Sequence, residues 1–310
     1  MSLSELRIAT RESPLALWQA EHVQARLESA HPGLRVTLVP MTTRGDQLLS
    51  ASLAASGGKG LFVKELELAL LNGRADIAVH SMKDVPAKQP EGLQLIAFLA
   101  GEDPRDALVS ERFANLDELP EGAHVGTASL RRQALLKINR PDLRISMLRG
   151  NVGSRLKRLD DGQFDAILLA SAGLKRLGLA SRITQALDVG QFVPAIGQGI
   201  VGIEAREGDE DASALLAKLN DQTSEIRLGA ERALNARLGG ACTVPVAGHA
   251  VVQDGQISLD AMVGAPDGSR HVRQSMQGPA QDAARIGTEL AEQLIAMGAR
   301  DILGALGIIV

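Results

Sequence analysis

The chain has very little cysteine and few aromatic residues. Its 310 residues include one cysteine, Cys242, one tryptophan and no tyrosine, and aromatic side chains make up 2% of the total. A single cysteine excludes an internal disulfide framework and a metal site built from cysteines. Leucine, isoleucine, valine and alanine must therefore form the core. The cysteine content is typical of a protein of the cytoplasm.

Long apolar runs and a secretion signal are also missing. No stretch approaches the roughly 20 apolar residues that cross a bilayer. The first residues, Met1 to Glu5, lack the basic and apolar regions of a signal peptide. We therefore expect a cytoplasmic protein without membrane contact. The length of 310 residues exceeds what one core supports and predicts two or three domains.

Positive charge is not in excess overall, but it is concentrated in one region. The net charge is −4 and the isoelectric point is about 5.9, which argue against nucleic acid as a partner. Between Arg131 and Arg158, nine basic residues stand against one acid, Asp142. Arginine binds carboxylate and phosphate groups through paired hydrogen bonds. This segment therefore predicts an anionic ligand that is bound at one place.

Strands and helices alternate through the first two thirds of the chain, which predicts an α/β fold with largely parallel sheets. The last part differs, because Asp254-Gly255 and Asp267-Gly268 are typical of hairpin turns between short strands. The first helix is predicted to begin at Ser13-Pro14, with Ser13 as its cap, and to end at Leu27. A closing helix is predicted over 280–297. We expect a small α+β domain in this region.

Four predicted strands turn into helices at small polar residues or glycine, namely at Ser13, Ser129, Asn151 or Gly153, and Ser171 or Gly173. Helix N-termini carry free N–H groups and a partial positive charge, which favour anions. Arginines adjoin these termini, and they are Arg11, Arg131, Arg132, Arg149, Arg155 and Arg176. The pattern predicts a site for several carboxylates or phosphates. Ordinary helix capping with exposed arginines is the alternative.

The run from Ala75 to Pro86 begins as an apolar strand and ends on polar residues, among them Lys83 and Asp84. Burying such groups costs free energy unless they face a cleft. In open α/β sheets, ligands bind at the carboxyl ends of strands. Asp84 is therefore a candidate for catalysis, and a solvated turn is the alternative. His80 could serve as an acid or base, or only as a structural hydrogen-bonding group.

Six runs, in order along the chain, resemble the motifs of one family. They are ATRESPLA (9–16), GKGLFVKE (58–65), HSMKDVP (80–86), GTASLRR (126–132), LRGNV (148–152) and PAIGQG (194–199). The chain resembles the porphobilinogen deaminase (hydroxymethylbilane synthase) family over nearly its whole length. The resemblance implies two periplasmic-binding-protein-like α/β domains with a hinge, 1–99 with 200–217 and 105–193. It also implies a small α+β C-terminal domain, 218–310, which carries the anchoring cysteine.

The resemblance also implies an activity. Members of the family are transferases that condense four porphobilinogen molecules head to tail onto a covalently bound dipyrromethane primer. Ammonia is released, and the product is hydroxymethylbilane for tetrapyrrole and heme biosynthesis. The expected partner is this small-molecule substrate, without nucleic acid or membrane, and the expected state is a monomer. No metal is expected.

Residue roles follow from the same resemblance. It implies that Asp84 is catalytic and that Cys242 forms a thioether to dipyrromethane. The other implied cofactor-binding residues are Ser13, Lys83, Thr127, Ser129, Arg131, Arg132 and Arg155. The implied substrate-binding residues are Arg11, Ser81, Arg149, Arg176, Phe62 and Lys59. The chain departs from the family pattern at Ala241 and at Val246-Ala247, which puts the geometry of the anchor loop in doubt.

A non-enzymatic binder is the main alternative. A two-lobed solute-binding protein for polycarboxylates would keep the arginines and the hinge, but it would need neither Asp84 nor Cys242. Nucleic-acid binding by the basic segment is disfavoured further, because aromatic residues are not interleaved with the basic ones.

Overall fold

The described elements follow the predicted alternation of strands and helices. A computed structural model describes residues 4–43, 45, 62–240 and 244–310. The strands are β1 (Glu5–Arg11), β2 (Arg35–Met41), β3 (Ile77–Ser81), β4 (Leu93–Phe98), β5 (Asp106–Val109), β6 (His124–Gly126), β7 (Arg144–Ser146), β8 (Ala166–Ala170), β9 (Gln185–Ala186), β10 (Val201–Arg206), β11 (Val246–Gln253), β12 (Gln256–Gly264) and β13 (His271–Pro279). The helices are α1 (Pro14–Ala30), α2 (Lys64–Leu71), α3 (Leu130–Asn139), α4 (Val152–Asp160), α5 (Ser171–Arg176), α6 (Glu210–Leu216), α7 (Gln222–Arg237), α8 (Ala283–Leu294) and α9 (Arg300–Gly304).

The chain forms two compact units. The first unit comprises Met1–Glu102 and Ile200–Glu225, and the second comprises Asp103–Gly199 and Ile226–Val310. Each unit contains a mixed sheet with helices, and the second also contains a small antiparallel sheet. The predicted α/β fold class with a small α+β part is thus confirmed. The division of the second unit into separate domains, 105–193 and 218–310, stays a prediction.

The sheet of the first unit has the strand order β2-β1-β3-β10-β4. β1 pairs in parallel with β2 and β3, whereas β10 runs antiparallel between β3 and β4. Helix α1 packs Val23 and Leu27 into one core of this unit. Helix α2 contributes Leu66 and Leu70 to another. Each fully buried leucine of this kind contributes about 1.5–3 kcal/mol.

The mixed sheet of the second unit has the same plan, in the order β7-β6-β8-β5-β9. β6 pairs in parallel with β7 and β8, and β5 runs antiparallel between β8 and β9. One core includes Leu135 and Leu136 of α3, and another includes Leu156 and Leu159 of α4. The carboxyl ends of β6 and β7 lead into α3 and α4, and the polar residues Ser129 and Asn151 cap these two helices.

The small sheet of the second unit is an antiparallel meander in the order β11-β12-β13. Both predicted hairpin turns are present, and Asp254 and Gly255 have φ angles of 49° and 71°. Such angles suit an aspartate–glycine pair in a two-residue turn. α8 packs against this sheet through Leu290 and Leu294.

Several element boundaries differ from the predicted ones. α1 continues to Ala30, and the closing helix ends its regular part at Leu294 and continues as a π-helical segment, Ile295–Ala299. Gly298, with a φ of 110°, breaks that segment. Within residues 4–43, 45, 62–240 and 244–310, every helix is too short or too polar to cross a lipid bilayer.

Candidate functional site

The end of β3 carries Asp84 on a fixed 3-10 turn, Met82–Asp84. The backbone N–H of Met82 donates to the carbonyl of Ile200, at 3.0 Å. The Met82 side chain is 2% exposed and lies against Gly202, where an added Cβ would be 2.1 Å from the sulfur. Within the described residues, the Asp84 carboxylate has no hydrogen bond or ion pair. The turn therefore presents a half-buried carboxylate that is not engaged elsewhere.

Asp84 lines a pocket of the first unit together with other predicted site residues. The guanidinium of Arg11 lies over the ring of Phe62, 4.4 Å from its centroid, in a cation–π contact. The structure thus brings these groups together: Arg11, Ser13, Phe62, Ser81 and Asp84, with Gln19 and His80 beside them. Lys83 shares the turn with Asp84.

Ser13 precedes α1, but it does not cap the helix as predicted. Its backbone is extended, and its side chain makes no capping hydrogen bond. Pro14 occupies the first helical position, and the first turn of α1 contains no acidic residue. The positive end of this helix is therefore not neutralised by a carboxylate of its own first turn, which favours an anion there.

Gln19 is a pocket residue that sequence reasoning missed. Its side chain is buried, 2% exposed, and Nε2 donates to Ser81 Oγ at 2.8 Å. This bond links α1 to the end of β3 and orients the Ser81 hydroxyl. A polar residue among the apolar positions Ala16, Ala20 and Val23 of α1 was the available signal.

His80, which lines this pocket, forms a buried pair with Glu204. His80 Nε2 lies 3.0 Å from Glu204 Oε2, and the two side chains are 3% and 1% exposed. The nearby Glu67 has its pKa raised to about 7, first by burial and then by the negative charge of Glu204. Glu204 was not predicted, although a glutamate in the apolar run Val201–Arg206 is an unusual feature.

In the second unit, Thr127 and Ser129 shape the turn from β6 into α3. Ser129 Oγ accepts from the backbone N–H of Arg132 at 3.4 Å, so that Ser129 caps α3. Thr127 Oγ1 accepts from the backbone N–H of Ser129 at 3.2 Å. These two hydroxyls therefore fix the start of the helix that carries Arg131 and Arg132.

Asp106, Arg131 and Arg132 form a buried cluster, here named the arginine clamp. Arg131 donates to both oxygens of Asp106, at 2.8 and 3.0 Å. Arg132 donates to Oδ1 through Nε and one Nη, at 3.0 and 2.8 Å. Burial alone would raise the pKa of Asp106, but the charges of the two arginines outweigh it and hold that pKa well below its usual range.

The clamp places Arg131 and Arg132 deeper than their predicted binding role suggests. Arg131 is 3% exposed and Arg132 is 5% exposed, and Asp106 is fully buried. Asp106 was missed from the sequence, although an aspartate that opens the apolar strand β5 was a signal. Two guanidinium groups facing one carboxylate leave one net positive charge at the start of α3.

Gln198 joins the clamp to the glycine-rich segment before β10. Its side-chain amide donates to Asp106 Oδ1 at 3.0 Å and to the carbonyl of Pro104 at 2.6 Å. The neighbouring N–H of Gly197 donates to the buried Glu231 at 2.6 Å. The segment that carries the PAIGQG motif is thus held by buried polar contacts within the second unit.

The remaining predicted arginines of the second unit are only partly buried. Arg155 donates through Nε to the carbonyl of Gly150 at 2.6 Å, and Arg176 donates to the carbonyl of Gly199 at 2.7 Å. Arg149 precedes Gly150, whose φ of 112° suits glycine. Asn151 caps α4 by accepting from the N–H of Ser154 at 2.8 Å.

Some predicted residues lie outside the described part of the chain. Lys59 and the cofactor anchor Cys242 belong to this group, as does Ala241. The stretch between Thr43 and Gly57 lies almost entirely outside it as well. The other departure from the family pattern, Val246-Ala247, begins strand β11.

Two family models match most of the chain. The model described as "Porphobilinogen deaminase, dipyromethane cofactor binding domain" matches residues 6–214. The model described as "Porphobilinogen deaminase, C-terminal domain" matches residues 226–296. Together the two matches span both units.

Solved structures show more distant similarity. The BvgS VFT2 domain of Bordetella pertussis is 19% identical, with a TM-score of 0.44, over 74% of this chain and 92% of that one. A nutrient binding protein from Burkholderia cenocepacia, solved with methionine, is 15% identical, with a TM-score of 0.44, over 69% of this chain and 90% of that one. A putative methionine-binding lipoprotein from Bacillus subtilis is 13% identical, with a TM-score of 0.44, over 71% and 92%.

Proposed function

This chain belongs to the porphobilinogen deaminase family, and we propose that its two units divide the work of hydroxymethylbilane synthesis between catalysis and carboxylate binding. The family is one of transferases, and its members use a dipyrromethane cofactor in tetrapyrrole synthesis. In the proposed division, the first unit supplies the catalytic carboxylate. The second unit supplies most of the positive charge.

The residues of the first pocket fit a dipyrromethane group by their chemistry. Dipyrromethane carries carboxylate side chains and ring N–H groups, so that it needs hydrogen-bond donors and one acceptor. Among the described residues, the pocket wall offers Arg11, Ser13 and Ser81 as donors, and Asp84 is the one acid there. In this proposal, Ser13, with Lys83 from the same turn as Asp84, holds cofactor carboxylates. Arg11, Ser81 and Phe62 contact the substrate.

Asp84 carries the proposed catalysis. When bound, dipyrromethane supplies the pyrrole end to which substrate rings are added. Asp84 accepts hydrogen bonds from ring N–H groups and stabilises the positive charge that develops on them. A fixed group of this kind lowers a barrier by about 3–4 kcal/mol. The observation that supports this role is the Asp84 carboxylate on the pocket wall, which the described residues leave unpaired.

The proposed role of the second unit is to bind carboxylates. The clamp residues Arg131 and Arg132 act on the cofactor through their net positive charge, and Thr127 and Ser129 set the position of their helix. Arg155 binds cofactor carboxylates. Arg149 and Arg176, which are only partly buried, bind those of the substrate.

The proposal extends to residues outside the described part of the chain. We assign Cys242 as the covalent anchor of dipyrromethane and Lys59 as a substrate-binding residue. The protein would work as a monomer in the cytoplasm without nucleic acid, and its net charge of −4 supports the last point. The domain division 1–99 with 200–217, 105–193 and 218–310 belongs to the same proposal.

Denaturing mass spectrometry of the intact protein tests the proposal. Protein made in cells with intact heme synthesis should weigh more than its polypeptide by one dipyrromethane, and added porphobilinogen should produce further species, one ring apart. The variant Cys242→Ser should show the polypeptide mass alone. A wild-type mass equal to the polypeptide would instead support a non-enzymatic binder of polycarboxylates.

A further inference from the structure

His80 occupies an unusual position for a residue without an assigned role. It lies on β3, four residues before Asp84, and both residues line the same pocket. The His80 Nε2–Glu204 Oε2 contact engages one ring nitrogen. No described residue hydrogen-bonds the other, Nδ1. With the carboxylate ionised, Nε2 donates to it, and Nδ1 remains to accept a proton.

One carboxylate oxygen of Glu204 is not used in the contact with His80. Its Oε1 is buried and has no hydrogen-bond partner among the described residues. In that part of the chain, the only ion-pair partner of Glu204 is His80, and neither lysine nor arginine neutralises it. A carboxylate that accepts from one imidazole nitrogen can stabilise the positive charge that arises when the other nitrogen takes up a proton. The couple is therefore suited to hold one additional proton.

The charged groups around this couple come from several elements. β10 contributes Glu204, and α2 contributes Lys64, Glu65 and Glu67, which interact electrostatically within this cluster. The pocket wall contributes Arg11 from β1 and Asp84 from the turn after β3. Four carboxyl groups, one lysine and one arginine of the described residues therefore lie around His80.

The proposed reaction requires a proton acceptor. In each round a C–N bond of the substrate breaks and releases ammonia, and a C–C bond forms. One ring carbon then loses its proton, and the C–H electron pair returns to the ring. If Asp84 took this proton, it would become neutral and would no longer stabilise the positive charge on the ring nitrogens. A second acceptor would separate the two tasks.

We propose that His80, backed by Glu204, is this second proton-holding group of the first unit's pocket, an inference that rests on the proposed function. His80 Nδ1 takes up the proton, and the Glu204 carboxylate stabilises the imidazolium that forms. The proton then passes to ammonia, which leaves as ammonium. Glu204 is a positioning residue, because it acts through His80.

A titration of the apo protein tests the couple without any turnover. The full-length Cys242→Ser chain is labelled with ¹⁵N-histidine, and the His80 signal is identified by its loss in His80→Asn. Glu204→Gln should lower the titration midpoint of His80 by about one pH unit or more, because it removes the charge that favours the imidazolium. A midpoint that stays within about 0.3 units overturns the proposal.

Steady-state kinetics of the enzyme with bound dipyrromethane provide the second test. His80→Asn should lower kcat about 100-fold and remove the acidic limb of the pH profile that His80 causes. Glu204→Gln, which retains His80, should move that limb to lower pH by as much as the midpoint moves. If His80→Asn does not fold, the position of the acidic limb in the pH profile of Glu204→Gln tests the proposal by itself. An unmoved limb, or a His80→Asn profile like that of wild type, overturns the proposal.

His249 offers a matched control in the second unit. Its Nδ1 lies 3.7 Å from Oε1 of the buried Glu231, so that it is also a histidine beside a buried carboxylate. His249→Asn should keep kcat and the pH profile within about twofold of wild type. An equal loss in both variants would mean that any such change disturbs the fold, and it would overturn the role of His80. Wild-type protein without dipyrromethane or turnover would refute the proposed function. The titration would still show whether Glu204 changes the midpoint of His80.

Discussion

The two mixed sheets have the same strand plan, but their buried carboxylates have different partners. In each, three parallel strands are followed by an antiparallel strand that carries one buried carboxylate, Glu204 on β10 and Asp106 on β5. Glu204 meets a histidine of the neighbouring strand. Asp106 meets two arginines of a helix. The same position in the plan thus holds a carboxylate–histidine pair in the first unit and a carboxylate with two arginines in the second.

The comparison shows that backbone topology does not determine the charge of a site. Histidine can lose its charge near neutral pH, whereas arginine cannot. A sheet whose buried carboxylate faces histidine can therefore change its charge during a reaction cycle. A sheet whose carboxylate faces arginines presents a constant field to an anionic ligand.

The largest effect is expected from Asp106→Asn. The change leaves two buried guanidinium groups without a counter-charge and should lower the free energy of unfolding by about 3–5 kcal/mol, measured by urea denaturation. Asp106→Glu keeps the charge and should lose less free energy of unfolding. If Asp106→Asn does not fold, Asp106→Glu is measured in its place. Equal stability of Asp106→Asn and wild type would contradict the clamp.

The pH dependence of the clamp has a definite sign. The pKa of Asp106 is lower in the folded protein than in an unfolded chain, where it is about 3.9. Its contribution to stability is therefore complete above pH ~5 and is lost as the pH falls below that value. The deficit of Asp106→Asn should shrink correspondingly in acid.

A smaller effect, and one on activity alone, is expected from Asp84→Asn. The described residues leave the Asp84 carboxylate unpaired, so that its loss should change the unfolding free energy by no more than about 0.5 kcal/mol. It should lower kcat by about 100- to 1000-fold because the charge that stabilises the transition state is removed. Steady-state kinetics and thermal denaturation of the loaded protein give both quantities. Retention of more than about a tenth of the rate would argue against the role of Asp84.

The smallest effect is expected from Glu67→Gln. The pKa of Glu67 is about 7 in the folded protein, above its value of about 4.3 in unfolded chains. The wild type therefore loses stability as the pH rises between these values, and the variant does not. At pH 8 the variant should be more stable by about 1–2 kcal/mol, a figure reduced for the partial exposure of Glu67. Urea denaturation at pH 4 should find the two proteins equal, and a constant difference at both pH values would exclude this cause.

Much of the fold could be predicted from the sequence because its signals are local. The turns at Asp254-Gly255 and Asp267-Gly268 need residues that adopt left-handed conformations, and those residues are present. The boundaries of α1 and of the closing helix were less accurate, because tertiary packing decides how far a helix continues. The break at Gly298 resembles any other glycine in the sequence.

The candidate site was predicted only in part. Arg11, Ser13 and Asp84 stand at strand or helix ends, where polar residues are conspicuous. The buried partners Asp106 and Glu204 were missed, because their importance depends on pairing across strands and helices that are distant in sequence. The sequence also could not show that Arg131 and Arg132 share one carboxylate.

The close packing of the Met82 side chain against Gly202 has a consequence for the comparison of this chain with its relatives. A side chain at residue 202 would occupy the volume of the Met82 sulfur, and the Met82 side chain or the turn that bears Asp84 would have to move. Relatives that keep the HSMKDVP run should therefore also keep glycine at the matching point of β10. Where that glycine is replaced, a smaller residue should accompany it in place of methionine, so that the two positions change together during evolution.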